Sequence, residues 1–400
     1  MTATTLSPPP APPAGIDTRR VAVVHDWLTG MRGGEITLEA ILELVPGARL
    51  FTLLHTPGSV TARIASHRPR TSFVQYLPFA GTRYRQYLPL FPGAVEMFDL
   101  DGYDLVISTS HCAAKAAVPT GRAHHLCYCF TPMRYAWDQF DAYFGRARVG
   151  AIRSRLYSLA MRRMARWDAA TAGRVDRYIA ISHHVADRIR RYYNRTATII
   201  APPVDTGFFS PDGSAPGEYF VVVSALVPYK RVDIAIDACR LAEVPLRIVG
   251  AGPESARLRA RAGSTVEFVG SCTRDELRDT YRSARGFLLT GEEDFGIAPV
   301  EAQSCGRPVI ALARGGARDT VEHGVTGLLV EEPDAESFAA AIRSLDDGAF
   351  DAARLHDAAS RFSRPVFQDR MREAIEQSAS GALGRSADAS ADERSDRLTT

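Results

Sequence analysis

Residues Arg20–Val45 read RVAVVHDWLTGMRGGEITLEAILELV. The first six form a short β-branched run of the kind that fills a strand buried on both faces. DWLTGMRGG then interrupts regular structure with Gly30, Gly33 and Gly34, and EITLEAILELV brings back apolar residues at helical spacing. Strand, glycine-containing loop and helix form the opening unit of a doubly wound α/β sheet, in which ligands bind beyond the carboxyl ends of the strands.

Outward from this unit the pattern continues. LFTLL (50–54), DLVIS (104–108), a run starting at His125 and RYIAI (177–181) read as strands, and Ser182 is an N-cap candidate for the helix that follows. TIIA (198–201) leads into PPVDTGFFSP, whose prolines, Asp and Gly resist regular structure and mark a domain junction. The alternation then restarts, with strands at 219–223, 246–249, 266–269, 286–289, 308–311 and 327–330 and helices between them. Two such runs predict two α/β domains with parallel sheets, facing across a cleft that is the default ligand site. The expected division is a disordered tail (1–19), an N-terminal domain (20–200), a linker (201–211) and a C-terminal domain (212–364). A helix at 365–378 would return to the first domain, and a small, polar segment at 379–400 reads as disordered.

Composition narrows the function. The 400 residues are 46% hydrophobic and 24% charged, ordinary for a globular chain. With 48 basic and 46 acidic residues the balance argues against a dedicated nucleic-acid binder. The six cysteines are scattered without a CxxC pair, so neither a zinc site nor a disulfide framework is indicated, and a reducing cytoplasm fits best. The Pro/Ala-rich start lacks the features of a signal peptide, and no apolar run reaches the roughly 18–20 residues of a membrane span.

The chemistry concentrates in EDFGIAPVE, Glu293–Glu301. Two carboxylates flank a glycine where a helix should start, and free N–H groups at a helix N-terminus attract anions. Gly296 removes a side chain that would block a phosphate. Glu301, one to two turns on, can accept bonds from ribose hydroxyls, and Glu293 can face the hydroxyls of a sugar. Taken alone, the stretch reads equally well as two solvated glutamates.

It does not stand alone. EDFGIAPVE resembles the E-x7-E motif of family 4 glycosyltransferases, retaining enzymes of the GT-B fold. SALVPYKRVD (224–233), IVGAGPE (248–254), SCGRPVIA (304–311), GGARD (315–319), GVTGLLV (324–330) and PVDTGFF (203–209) are similar to further segments of that family in the same order. The set spans about 21–367. It implies a hexose transferred from a nucleoside diphosphate sugar to a hydroxyl with retention. No cofactor is implied, and metal is not required.

The resemblance implies Lys230 on the pyrophosphate and Glu293 on the donor sugar as catalytic groups, with Phe295, Gly296, Ile297 and Glu301 as donor contacts. A cation at the leaving diphosphate stabilises the transition state more than the ground state. Many members carry an Arg where this chain has Ala225, and Arg231 is the candidate to supply that charge. Gly33 and Gly34 would approach the donor with backbone amides, although their spacing is not that of a dinucleotide fingerprint; Glu35 beside them suits the helix dipole. His111, after strand DLVIS, is placed where members often contact the donor sugar and joins the catalytic candidates, and Lys115, one helical turn on, is a candidate acceptor contact. The same resemblance implies acceptor binding in the N-terminal domain and nucleotide-sugar binding in the C-terminal one. TPMRYAWD (131–138) is similar to a segment of bacterial polysaccharide-type mannosyltransferases, which often show His where this chain has Phe130. Arg134 would meet an anionic acceptor, and Trp137 either stacks on a sugar or joins the core. Asp99 and Asp101 form a DxD, read as a solvated turn ahead of a strand rather than a metal site.

TRYRQYLPLFP (82–92) and IRSRLYSLAMRRMARW (152–167) mix arginines with apolar residues, which suits either an anionic membrane surface or a core-facing helix with a basic outer side. The expectation is a cytoplasmic enzyme, peripheral at the inner membrane face. It would use a donor such as GDP-mannose and a lipid-linked glycan acceptor in surface or exported polysaccharide synthesis. Two alternatives stand beside it: a nucleotide-sugar epimerase or sugar phosphorylase of the same fold, and a catalytically degenerate sugar-nucleotide-binding partner protein, to which the Ala225 and Phe130 departures would point.

Overall fold

The computed structural model describes residues 12–396, apart from Arg122, 141–143, 147–149 and Asp347, and for 381–396 the backbone alone. The chain divides into two compact units. One comprises residues up to Ile181, Val185–Ile200 and the chain from Phe367 onward; the other comprises Ser182–His184 and Ala201–Val366.

The first unit is built on a seven-stranded parallel sheet. Its strands are β1 (Val21–His25), β2 (Arg49–Thr52), β3 (Arg70–Thr71), β4 (Leu105–Ser110), β5 (His124–Cys129), β6 (Arg177–Ala180) and β7 (Ala197–Ile199), in the order β3-β2-β1-β4-β5-β6-β7. Every residue of β1 and β4 is buried, which explains their unbroken apolar and small composition. The order reverses between β1 and β4, so their carboxyl ends form the switch point where this architecture leaves room for a ligand. The two strands pair in register, with His25 opposite Thr109.

The second unit repeats the plan with six parallel strands. These are β8 (Phe220–Val223), β9 (Leu246–Val249), β10 (Val266–Gly270), β11 (Gly286–Leu289), β12 (Val309–Leu312) and β13 (Gly327–Val330), in the order β10-β9-β8-β11-β12-β13. Alternate strand residues feed two cores. Phe220, Val222, Leu288 and Ile310 pack with Ile236 and Phe338 on one face; Val221, Phe287 and Val309 pack with Phe209, Tyr281 and Ala302 on the other. Each fully buried aliphatic or aromatic side chain contributes about 1.5–3 kcal/mol. The switch point here lies between β8 and β11.

The sequence did not announce β3, a two-residue edge strand too short to show a period, and the segment around β7 was read only as the lead into the domain junction. Both expected tails need correction. Ala14 donates its N–H to Glu376 (2.8 Å), and Thr18–Arg20 form a 3-10 turn, so regular contacts begin well before residue 20; residues 1–11 lie outside the described chain. The last helix runs Arg364–Asp396 rather than ending near 378. Its continuation is rich in alanine and free of proline, and such residues sustain a helix without apolar periodicity. From Phe367 on, this helix packs with the first unit. Phe367 meets Tyr128 edge-on at 5.7 Å, and Gln368 donates to the Ala40 carbonyl (3.3 Å) and to Glu43 (2.7 Å).

Candidate active site

At the β8/β11 switch point, Lys230 ends a 3-10 turn (Pro228–Lys230) and Glu293 sits in the loop after β11. Their side chains form an ion pair, only 14% and 16% exposed. Lys230 can come this close because of Gly291. A Cβ on Gly291 would stand 2.6 Å from the Tyr229 carbonyl oxygen and 2.7 Å from Lys230 Cα, a clash with rigid backbone. The Thr290 hydroxyl adds a bond to the Arg231 carbonyl (2.8 Å). On the other side, Gly315 takes a φ of +61° and forms a bridge with Glu293, and Gly316 donates its N–H to the Glu293 carbonyl (2.7 Å). The two short segments GEE and GG therefore hold the carboxylate from both sides.

Gly296 has φ +94° and caps the helix Ile297–Ser304, so here glycine serves the left-handed turn that aims the helix. Its first amides remain at the mouth of the turn, with Ile297 as the first helical residue. Glu301, further along, accepts a hydrogen bond from the Tyr281 hydroxyl (2.9 Å). Burial pushes its carboxyl up to about 7, against the opposing pull of that bond and of Arg274. Phe295 was expected as a donor contact, but its ring is buried against Phe362, with centroids 5.4 Å apart, because it follows the buried Asp294 into the core. Arg231, also at a positive φ (+49°), spends its guanidinium on Asp233 two residues on, at 3.2 Å.

Residues 182–184 brace the same loop, and nothing in the sequence announced it. Ser182 donates its hydroxyl to the Asp294 carbonyl (2.5 Å). His184 Nε2 lies 3.5 Å from Glu292 and 3.7 Å from Asp294, and His183 pairs with Asp319. The Ser182 expected as an N-cap is thus engaged by the loop that carries Glu293.

In the first unit, His111 follows β4 directly. Its Nδ1 lies 3.1 Å from Oδ2 of Asp26, which is fully buried and follows β1. The same carboxylate accepts four backbone N–H bonds. His111 (2.7 Å) and Cys112 (2.9 Å) reach Oδ2, and Ala113 (2.6 Å) and Ala114 (2.8 Å) reach Oδ1. Trp27 meets the His111 ring edge-on at 4.3 Å. Burial lowers the His111 imidazole below its ordinary value; Asp26 opposes this, and the charges of Arg134, Arg85 and Arg32 reinforce it. His25, at the end of β1, bonds Thr109 Oγ1 through Nδ1 (2.7 Å), and burial holds its imidazole near 4. Gly34 opens the helix Gly33–Leu44 beside the Phe130 and His25 rings, and Glu35 accepts the Arg32 N–H (3.0 Å) to cap that helix. The structure therefore gathers Gly33, Gly34, Phe130, His111 and the charge of Arg134 at one end of the sheet.

Lys115 does not join them. It is 1% exposed, with Nζ donating to the Asp168 carbonyl (2.6 Å) and Thr171 Oγ1 (3.0 Å) and pairing with the Asp168 carboxylate at 3.2 Å. Its expected contact with an acceptor is corrected to an internal one, since the chain 53 residues on supplies a buried anion for it. Trp137 converges on the same group. Its indole N–H donates to Asp168 (2.7 Å) and its ring stacks on Tyr192 at 4.5 Å, leaving the side chain half-buried.

Asp99 accepts the Asp101 N–H (3.1 Å) in an exposed turn ahead of β4. Among the described residues no group of His, Cys, Asp and Glu is arranged to hold a metal ion, and no helix is long and apolar enough to cross a membrane. In the 82–92 stretch Tyr84, Leu88 and Phe91 turn inward, where Tyr84 and Phe91 pack on Trp27. Leu90 within it and Tyr76, Phe79 and Met97 beside it are exposed, and Ile152, Leu156 and Leu159 lie open on the helix Ala151–Ala170.

Comparison with known proteins adds three findings. Residues 209–361 match the family model of glycosyl transferases group 1, so the second unit carries that domain. The chain is 33% identical over 193 residues to a D-inositol 3-phosphate glycosyltransferase of Streptomyces bingchenggensis, a match covering 40% of this chain and 42% of that one. It is 44% identical over 94 residues to D-inositol 3-phosphate glycosyltransferase 1 of Catenulispora acidiphila, covering 23% and 22%. The chain thus matches less than half the length of these curated relatives. Among solved structures it resembles Anabaena Alr3699/HepE in complex with UDP (TM-score 0.66, 20% identity, 89% of this chain and 99% of that chain). It also resembles sucrose-phosphate synthase from Thermosynechococcus elongatus (TM-score 0.66, 19% identity, 89% and 98%). These likenesses show the fold: two Rossmann-like parallel-sheet units, as in GT-B glycosyltransferase structures.

Proposed function

We propose that this chain transfers a hexose from a nucleoside diphosphate sugar to a hydroxyl, with retention at the anomeric carbon. The observation that carries the reading is the Lys230–Glu293 ion pair at the β8/β11 switch point, in the loop that leads through the left-handed turn at Gly296 into the helix Ile297–Ser304. A diphosphate and a sugar joined to it present an anion next to a set of hydroxyls. Lys230 and the first amides of the Ile297–Ser304 helix suit the first, and the Glu293 carboxylate suits the second. Glu301 is assigned to the ribose hydroxyls. The group 1 domain match supports this assignment of the second unit.

The mechanism follows from what the residues can do. As the glycosidic bond breaks, negative charge grows on the leaving diphosphate, and Lys230 with the helix amides stabilises it. The departing phosphate oxygen takes the proton of the attacking hydroxyl on the same face of the sugar. Glu293 is assigned to hold the donor sugar, and the family resemblance assigns His111 as a sugar contact of the first unit. An α-donor then gives an α-linked product, and no enzyme-bound sugar ester is required. The donor is assigned as GDP-mannose from the 131–138 resemblance and the acceptor as a lipid-linked glycan. Tyr76, Phe79, Arg83, Arg85 and the outer side of Ala151–Ala170 would meet an anionic membrane at its cytoplasmic face.

Calorimetric titration with GDP, UDP, ADP and dTDP, followed by transfer assays with the matching sugar nucleotides, tests the reading. One nucleotide should bind, and its sugar conjugate should be turned over with EDTA present. A β-linked product from an α-donor overturns the mechanism; UDP in place of GDP overturns the mannosyl assignment. Binding without turnover overturns the enzyme reading in favour of a degenerate sugar-nucleotide-binding partner protein; binding of none overturns both. Failure to co-sediment with phosphatidylglycerol vesicles at low salt removes the membrane contact.

A further inference from the structure

Asp26 lies outside the groups assigned above, yet both its oxygens are fully engaged at the carboxyl end of the first sheet. It has no exposed surface, and its two oxygens receive four main-chain N–H groups from consecutive residues, His111 through Ala114. A carboxylate so surrounded is a pure acceptor, because every approaching group brings a hydrogen. The fifth neighbour is His111 Nδ1, at 3.1 Å from Oδ2. Only a ring that carries its hydrogen on Nδ1 is attracted there; a lone pair at the same place would face a negative oxygen. The Trp27 edge at 4.3 Å limits rotation of the ring away from this position.

We propose that Asp26 is the positioning residue of His111. It fixes the Nδ1–H tautomer, so that the part-exposed imidazole presents Nε2 as a hydrogen-bond acceptor for a hydroxyl of the bound sugar. The imidazole is neutral in this role and accepts a hydroxyl hydrogen without taking the proton. Asp26 does not touch the ligand. It couples the carboxyl end of β1 to the turn after β4, so one carboxylate sets both the path of the backbone at 111–114 and the tautomer of the ring. The ligand half of the proposal rests on the reading of His111 as a sugar contact; the tautomer half does not.

The test uses the full chain labelled with 15N-histidine. The chain has ten histidines, and loss of one signal set in His111→Gln assigns the ring. The expected spectrum at neutral pH shows a protonated Nδ1 and an unprotonated Nε2, and the Nε2 resonance moves when a sugar nucleotide is added but not with the nucleoside diphosphate alone. An Nε2–H tautomer, or a doubly protonated ring, overturns the positioning role. The expected tautomer with an Nε2 unmoved by a sugar nucleotide that calorimetry shows to be bound overturns the ligand role. If calorimetry finds no sugar nucleotide bound, the glycosyltransferase reading and the ligand role fall together, and the spectrum of the free chain still decides the tautomer.

Kinetics provide the second arm. Asp26→Asn should lower kcat by about tenfold to a hundredfold, the scale of one charge-assisted bond, with a smaller change in KM. In a His111→Ala background the same substitution should cost little more, because its effect passes through the ring. An equal loss in both backgrounds would assign Asp26 to the backbone turn alone and overturn the proposal. Should Asp26→Asn fail to fold, the spectrum of the unaltered chain remains decisive.

Discussion

Lys230 and Glu293 are paired with each other before any ligand arrives. The cation assigned to the diphosphate and the carboxylate assigned to the sugar therefore neutralise one another in the free protein, and a bound sugar nucleotide must separate or bridge them.

Substitutions of the two should consequently act in opposite directions on the nucleotide alone. Lys230→Ala should weaken binding of the nucleoside diphosphate by about tenfold to a hundredfold, the worth of a charge-assisted bond. Glu293→Ala should tighten it by about fivefold, because roughly 1 kcal/mol of competing pairing is removed, while turnover of the sugar nucleotide falls. Isothermal calorimetry on both variants checks this. Weaker diphosphate binding in Glu293→Ala would mean that the carboxylate orients Lys230 instead of competing for it.

Gly291→Ala should damage the site from behind. The added Cβ would fall 2.6 Å from the Tyr229 carbonyl oxygen, and the strain should cost about 1–3 kcal/mol of stability. Because the backbone that must give way carries Lys230, diphosphate affinity should fall as well. Thermal unfolding and calorimetry on the same preparation separate the two effects; unchanged stability would show that the loop has room to yield.

Replacing Lys115 by Met should leave acceptor affinity of folded protein unchanged and destabilise the first unit. The substitution strands the fully buried Asp168 without its cation, and breaking a buried pair from one side costs about 3–5 kcal/mol. Urea unfolding gives the number. A stable variant with weakened acceptor binding would restore Lys115 to the site.

Glu301 sets a pH dependence. Burial pushes its carboxyl up to about 7 from the ordinary 4.5. A pKa raised on folding means that the folded state holds the proton more tightly. The stability it contributes is therefore fully present below about 4.5 and is lost as pH rises through about 7. Glu301→Gln abolishes this titration and keeps an acceptor for the Tyr281 hydroxyl. Relative to wild type, the variant should gain about 1–2 kcal/mol between pH 5 and pH 8, after allowance for partial solvent screening. Equal differences at both pH values would show that the carboxylate ionises freely.

Much of this was legible before any coordinates. Strand periodicity placed both sheets, because parallel strands buried on two faces are written as continuous apolar runs. The Glu293–Glu301 spacing identified a carboxylate on each side of a helix start. What escaped the sequence were the contacts that no local pattern encodes. Asp26 lies 85 residues from His111, and Ser182 lies 112 from Asp294; each is a single polar residue at a strand end until the sheet brings its partner. Lys115 was misread for the same reason. A lysine near a site is expected in water unless an anion is buried beside it, and Asp168 comes much later in the chain. The ring of Phe295 is a further case: the motif named the position, and its packing against Phe362 depends on a residue 67 positions later.

The passage of the chain back into the first unit at Phe367 bears on biosynthesis. Phe367, Gln368, Met371 and Ile375 leave the ribosome only after the whole of 201–366 has been made. Until then Tyr128 and the Ala40 carbonyl lack these partners, so the nascent first unit waits, incomplete, after the second has been made. A translation product stopped at Val366 should therefore present chaperones with an unfinished first unit beside a complete second one, Ser182–His184 included.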